Sequence, residues 1–217
     1  MKPKKLWPLI VTLLLAPAAV AAEPDAGAVL DGLQGWLDGS RTLQGRFEQE
    51  LLSGALGAGI EESGRIFIER PGRMRWDYLE PERKVAIVDG ERTTLFLEED
   101  RQLMLGRLDG EADLLLALLA GEGRLASLFE ASLVPTQESE RRGSHRLLLV
   151  PRRPGEVFDN VELALSPRDF GIVAAVVLDA GGNRLFYRFF ELKRNRELPP
   201  GVFAFEPPEG TAVSGEH

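Results

Sequence analysis

Apolar and polar positions alternate with a period of two along residues 63–90, and this alternation is the clearest pattern in the chain. Met74, Trp76 and Tyr78 fall on one face, charged residues fall on the other, and Pro71-Gly72 interrupts the pattern before them. Alternation on both sides of a Pro-Gly pair predicts a β-hairpin with one apolar face. That face carries large side chains and no catalytic group, so we expect the protein's own core or an apolar ligand to cover it.

The remaining elements follow from the same kind of pattern. Apolar residues recur at helical spacing between Asp25 and Gly39, which predicts an amphipathic helix. Two shorter helical segments are predicted at residues 113–119, where Leu and Ala dominate, and at residues 125–129. Strands are predicted at residues 43–52, 60–69, 73–79, 84–88, 93–98, 102–108, 145–150, 157–165, 172–178 and 184–192, with a hairpin turn before the last.

These elements predict a single α+β domain that is mainly antiparallel β. A sheet of about ten strands curls or closes on itself, and an antiparallel sheet can leave one face for other uses. With the helices on its concave side, the curled sheet encloses an apolar space. The pattern alone leaves open whether that space is a packed core or a ligand cavity.

The first 22 residues have the composition of an export signal. Three lysines in the first five residues precede an apolar run at 6–20, and small residues at 18–22 offer a cleavage position. A membrane anchor is the alternative, but the run is short and contains two prolines. We therefore expect a signal peptide at residues 1–22 and one domain at residues 23–217, soluble after export.

Cysteine content and charge narrow the possible functions. The chain has no cysteine, which excludes disulfides, thiolate nucleophiles, cysteine metal sites and a lipid anchor on an N-terminal cysteine. Removing 22 residues from the 217-residue chain leaves 195, enough for one domain with a substantial core. The net charge of −8 becomes −11 without the three signal lysines, which disfavours nucleic acid and anionic membrane surfaces as partners.

Catalytic chemistry has little support in the chain. Of the two histidines, His217 is terminal, and His145 follows Ser144 in a predicted strand, where neighbouring side chains point to opposite faces. There is no Gly-x-Ser-x-Gly elbow and no Gly-rich phosphate loop. Acidic clusters such as 98–100 lack metal-ligand spacing and are typical of a solvated surface. We expect no enzymatic activity, no cofactor and no bound metal.

Four segments carry motifs that occur in a fixed order along the chain. They are Arg46-Phe47-Glu48-Gln49, the stretch 63–90 with Arg-Pro-Gly-Arg-Met-Arg-Trp-Asp-Tyr at its centre, the Leu-rich residues 114–129, and the tail at 202–213 with Phe203-Ala204-Phe205. Together they resemble the periplasmic lipoprotein carrier family, LolA. The similarity covers nearly all of the chain after the signal.

The resemblance implies an incomplete, half-open β-barrel with short helices covering an apolar cavity for acyl chains. It implies a monomeric, soluble periplasmic chaperone that takes acylated lipoproteins from an inner-membrane ABC exporter and delivers them to an outer-membrane acceptor. Nucleic acid is not among the implied partners. Two alternatives share the fold: a carrier of another lipid or glycolipid, and a regulatory module that senses lipoproteins.

The resemblance also implies roles for single residues. Arg70 occupies the position of an arginine that bonds the backbone of the lid and holds the empty cavity closed, which suits the five fixed donors of a guanidinium. An ordinary solvated arginine at a strand end is the alternative. Met74 stands where well-known members carry a phenylalanine implicated in contact with the exporter, and its flexibility is compatible with a contact role.

Further candidates line either the cavity or a docking surface. Phe47, Leu51, Trp76 and Tyr78 join Met74 in this set, and Leu115, Leu118 and Leu119 join it from the Leu-rich segment. For Met74, Trp76 and Tyr78 the alternative is plain core packing. The run at 114–119 is either a mobile lid or a buried core helix.

Overall fold

A computed structural model describes residues 25–54, 59–107, 123–134, 144–153 and 158–215. The expected signal peptide and the helix expected at 113–119 lie outside the described residues. The same holds for the candidate cavity residues Leu115, Leu118 and Leu119. The domain boundary expected at residue 23 also falls outside these ranges.

The described chain forms two helices and twelve strands. The helices are α1 (Ala26–Asp38) and α2 (Leu125–Leu128). The strands are β1 (Thr42–Leu52), β2 (Gly59–Glu69), β3 (Arg73–Glu80), β4 (Lys84–Asp89), β5 (Arg92–Leu97), β6 (Gln102–Arg107), β7 (Phe129–Leu133), β8 (His145–Pro151), β9 (Phe158–Leu165), β10 (Ile172–Asp179), β11 (Arg184–Arg194) and β12 (Ala212–Gly215).

All twelve strands belong to one sheet with the order β12-β6-β5-β4-β3-β2-β1-β11-β10-β9-β8-β7. Each neighbouring pair is antiparallel except β12, which pairs in parallel with β6. The outer strands β12 and β7 do not pair with each other, so the curled sheet stays open. The predicted α+β fold with an incomplete barrel is thereby confirmed.

Helix α1 begins where the sequence predicts. Asp25 has an extended backbone and its carboxylate accepts a hydrogen bond from the Ala28 N–H at 2.8 Å, which satisfies a donor that the first turn leaves without a partner. At the other end the Gly39 N–H donates to the Gly35 carbonyl at 3.0 Å. Five apolar side chains on one side of the helix are buried: Val29, Leu30, Leu33, Trp36 and Leu37.

The buried side of α1 packs on one face of the sheet, which we call the inner face. Because side chains alternate along a strand, each strand presents every second residue to this face. The resulting core includes Leu43, Phe47, Ile66, Ile68, Met74, Trp76, Phe129, Leu147, Leu149, Val161, Leu163, Leu165, Ile172, Ala175, Tyr187 and Phe189. The core therefore lies between α1 and the curved sheet.

A smaller apolar cluster lies on the opposite, outer face, where the C-terminal segment (residues 195–211) crosses β3 to β6. Ile87, Phe96 and Leu103 are buried there, and the ring of Phe96 lies 5.0 Å from that of Phe205. The Arg75 guanidinium donates to a carbonyl of the same segment, that of Val202, at 2.9 Å. The C-terminal segment thus covers apolar surface that α1 does not reach.

One predicted element is partly wrong. A helical turn was expected over residues 125–129, but α2 ends at Leu128 and Phe129 already begins β7, which pairs with β8. The backbone of Phe129 is extended, and its side chain is buried in the core. Among the helices that the structure describes, none has the length and apolar character needed to cross a membrane.

Candidate functional site

Aromatic side chains from two strands meet on the inner face. The ring of Phe47 stands edge-on to Trp76 at 4.7 Å and to Tyr78 at 5.0 Å between ring centroids. Gly64 is the cross-strand partner of Phe47, and a Cβ there would lie 1.9 Å from the Asp77 carbonyl oxygen and 2.9 Å from the Phe47 ring. The glycine at this position therefore allows the ring to lie over β2 and reach β3.

Of the five predicted cavity or docking candidates within the described residues, the structure brings four together on the inner face, but at different depths. Met74 is 0% exposed and Trp76 is 6% exposed. Tyr78 is half-buried, and its hydroxyl donates to the Gln49 side-chain oxygen at 3.1 Å. Leu51 lies near the far end of β1 and is 37% exposed. Met74 is thus an interior residue in this conformation, and a partner could reach it only after the core opens.

Arg70 lies at the end of β2 beside the last turn of α1. Its guanidinium donates a hydrogen bond to the carbonyl of Leu37, and its backbone N–H donates to the Arg41 carbonyl at 2.8 Å. Burial lowers the pKa of Arg70, and the nearby Asp38 carboxylate partly offsets that effect. A cation at the C-terminal end of a helix also complements the partial negative charge of the last carbonyls. The side chain thus ties the covering helix to the sheet.

The other side of α1 is held by the loop between β9 and β10 and by the last residue of β11. The Arg194 guanidinium lies 5.1 Å above the Trp36 ring, and a Cβ on Gly32 would lie 2.5 Å from the ring of Phe170. Burial by itself raises the pKa of the Asp169 carboxyl. Hydrogen bonds to the carboxylate, including one from Trp36, and the charge of Arg194 outweigh burial, so the pKa lies below its usual value. Helix α1 is therefore fixed from two sides at its C-terminal half.

Sequence reasoning missed an apolar row that leads from the core towards β6. Trp76, Ala86, Leu95 and Met104 are successive cross-strand partners on the inner face. Trp76 is buried, whereas the other three are only half-buried. The row shows where the inner face is less completely covered by the rest of the chain.

A cleft of about 1380 Å³ lies at the Arg70 end of the sheet. It is lined by both charges, among them Arg41, Arg70, Arg73, Asp38 and Glu69. It does not enter the apolar core, whose side chains pack against α1 and one another. Within the described ranges, no three His, Cys, Asp or Glu side chains come together as ligands for a metal ion.

An open antiparallel barrel with a helix on its apolar inner face defines the class: a half-barrel protein with a covered apolar interior. A family model described as outer membrane lipoprotein carrier protein LolA matches residues 38–206. The chain belongs to this family.

Similar proteins support the assignment over the whole length. An outer-membrane lipoprotein carrier protein of Chromobacterium violaceum is 30% identical, with 98% of this chain and 100% of that protein covered. One from Dechloromonas aromatica is 32% identical, with 95% and 98% covered. An uncharacterized conserved protein from Thermus thermophilus has a similar fold, with a TM-score of 0.55, 17% identity, and 88% and 99% of the two chains covered.

Proposed function

We propose that this protein is a periplasmic chaperone that carries acylated lipoproteins between the two membranes of a bacterial envelope. The observation that supports this most is an apolar inner face covered by a separate helix, in a chain that belongs to the outer-membrane lipoprotein carrier family. Residues 1–22 are proposed to be the export signal, and residues 23–217 the carrier domain.

The chemistry of the cargo explains why such a carrier needs an apolar face of this size. At ~0.8 kcal/mol for each buried CH₂, an anchor with about 45 methylenes costs on the order of 35 kcal/mol to hold bare in water. Spontaneous transfer through an aqueous compartment is then too slow to matter. A protein that shields most of this surface removes that barrier without any covalent step.

In the described conformation the inner face is filled by the protein's own side chains, so cargo must displace them. Helix α1 contributes five buried apolar residues to the core, and an acyl chain offers equivalent apolar surface in exchange. We propose that Phe47, Met74, Trp76 and Tyr78 contact the acyl chains once α1 has moved. Leu51, and also Leu115, Leu118 and Leu119 in the proposed lid, complete this set.

Arg70 is proposed to be the latch of the closed state. Its bond to the Leu37 carbonyl lies at the end of α1, where losing it frees the helix terminus without disturbing the sheet. A charge-assisted hydrogen bond contributes about 1.5–3 kcal/mol at most, which favours closure but can be reversed by cargo. The energy for loading is proposed to come from an inner-membrane ABC exporter, and the cargo to pass to an outer-membrane acceptor.

Release of lipoprotein from spheroplasts tests the proposal directly. The purified protein without residues 1–22 is added to spheroplasts that contain the matching exporter, and newly made lipoprotein is followed in the supernatant. We expect a soluble one-to-one complex of carrier and cargo. A cargo variant that lacks the acylated cysteine serves as the control, because it carries no anchor to be shielded.

Two outcomes distinguish the alternatives. If lipoprotein stays in the membrane although the added protein is folded and the exporter is active, lipoprotein carriage is contradicted, and another lipid ligand or a sensing role takes its place. If the unacylated cargo forms the complex equally well, the inner face is not the binding site. An unrelated soluble protein of similar charge, added in parallel, measures the background of spontaneous release.

A further inference from the structure

A recess of about 530 Å³ lies on the outer face, away from α1, between strands β2 to β5 and the C-terminal segment. Three arginines border it: Arg65 on β2, Arg83 in the turn before β4, and Arg101 in the turn before β6. We call it the arginine pocket. Most of its lining side chains belong to the opposite face of the sheet from Trp76 and Met74, and Tyr78 and Lys84 border it at the end of the inner face. The recess therefore adjoins the proposed cargo site at Tyr78, but its three arginines are not among the proposed cargo contacts.

The three guanidinium groups of the pocket are available to a ligand. Within the part of the chain that the structure describes, none of them makes a side-chain hydrogen bond, ion pair or ring contact, and all three residues are exposed. Neighbouring cations at the same recess are used by the fold: Arg75 donates to Asp77 at 2.6 Å, and Lys84 lies 2.5 Å from Glu62. Three such arginines at one recess are unexpected in a chain with a net charge of −8.

The floor of the pocket is apolar. Val85 and Phe96 are cross-strand partners on the outer face, and Phe205 of the C-terminal segment lies against Phe96. A ligand that fits must therefore pair negative groups at the border with an apolar group at the centre. Guanidinium groups bind carboxylates in well-defined geometries, which suits recognition of acidic side chains.

The charges around the pocket decide between an acidic protein segment and an anionic membrane. Glu98 and Glu206 also border the recess, and the whole chain is acidic. A flat anionic membrane would meet these carboxylates at the same time as the arginines and be repelled. An extended segment is narrow enough to place its carboxylates on the arginines alone. The complementarity thus favours a segment of a protein.

We propose that the arginine pocket is a docking site for an extended acidic segment of a partner protein, in which an aromatic or aliphatic side chain stands between carboxylates. The proposal goes beyond lipoprotein carriage, because it concerns the outer face and requires no movement of α1. The C-terminal segment supplies one wall of the pocket through Phe205, Glu206 and Pro208. The segment thereby contributes to binding as well as to the fold.

Fluorescence anisotropy with a labelled acidic peptide tests the proposal. The probe alternates Glu or Asp with Leu or Phe, and a second peptide with Lys in place of each acid is the charge control. We expect saturable binding of the acidic probe that weakens with salt, since screening acts over about 10 Å at 0.1 M. Each of R65Q, R83Q and R101Q should weaken binding about three- to tenfold.

R92Q is the matched control, because Arg92 is exposed at the start of β5 and its replacement removes the same charge from outside the pocket. Binding that is equally weakened by R92Q, or unchanged in the triple variant R65Q/R83Q/R101Q, would falsify the proposal. So would absence of binding by the acidic probe. Binding to vesicles of phosphatidylethanolamine and phosphatidylglycerol is measured in parallel. If the protein binds the vesicles through these arginines but does not bind the peptide, the partner is a membrane and the proposed protein partner is wrong.

Discussion

Replacing Arg70 with leucine removes the charged contact between β2 and the covering helix while keeping an apolar stem. The guanidinium donates at least one hydrogen bond to α1, at the Leu37 carbonyl, and burial lowers its pKa. That bond joins the sheet to the helix and does not involve the aromatic residues of the inner face. We therefore expect the sheet to stay folded and the end of α1 to detach more often.

The magnitude follows from the type of bond. A hydrogen bond to a charged donor contributes about 1.5–3 kcal/mol, and because Arg70 is only half-buried we take about 1–2 kcal/mol. That corresponds to roughly a five- to thirtyfold increase in the ratio of open to closed molecules. Hydrogen exchange of the amides in the second half of α1 measures this ratio directly, because those amides exchange when the helix leaves the sheet.

R41L is the matched control for this experiment. Arg41 borders the same cleft and is exposed, and no hydrogen bond or ion pair of its side chain occurs within the described residues. Faster exchange of the α1 amides in R70L than in R41L, with the amides of β10 and β11 unchanged, is the expected result. Equal exchange in the two variants refutes the latch. Acceleration throughout R70L would instead mean general destabilisation, which also contradicts a local role.

Two further predictions concern the core. G64A should lower the free energy of unfolding by about 2–4 kcal/mol, because the added Cβ meets the Asp77 carbonyl and the Phe47 ring. G35A should raise the free energy of unfolding by about 0.5–1 kcal/mol, because its added Cβ meets nothing within 4 Å. Urea denaturation of both variants measures the difference, and equal effects would contradict the prediction. M74E should unfold the protein or lower its stability by several kcal/mol, because Met74 is fully buried. A stable M74E with native circular dichroism would show that this position can reach solvent.

Much of the sheet could be predicted because its strands obey a local rule. Apolar and polar residues alternate wherever one face is buried, so the ten predicted strands appear within two residues of their expected ends. β12 was missed for the opposite reason: its four residues are all exposed, and only pairing with β6 makes them a strand. β7 was missed because a buried Phe129 after a short helix fits a helical period as well as a strand.

The site was harder to predict than the fold. Alternation places Met74 and Trp76 on one face but cannot say whether that face meets a helix, a ligand or a partner. The structure buries Met74 in the same apolar core as the inner side of α1. The Arg70 contact depends on residues 33 positions apart, and the arginine pocket combines side chains from strands and the C-terminal segment. Such sites depend on topology, which no single pattern in the chain contains.

The covered inner face has a consequence for how tightly apolar cargo can bind. In the proposed carrier, helix α1 and an acyl chain would compete for the same surface. Apolar area that the cargo buries would be area that the helix gives up, and the net affinity would be a difference between similar terms. The polar contacts of α1, through Arg70 on one side and the Asp169–Trp36–Arg194 group on the other, then set how far closure is favoured. A carrier built in this way can accept a large apolar anchor and still release it, because closing the helix over the sheet recovers much of what the cargo takes away.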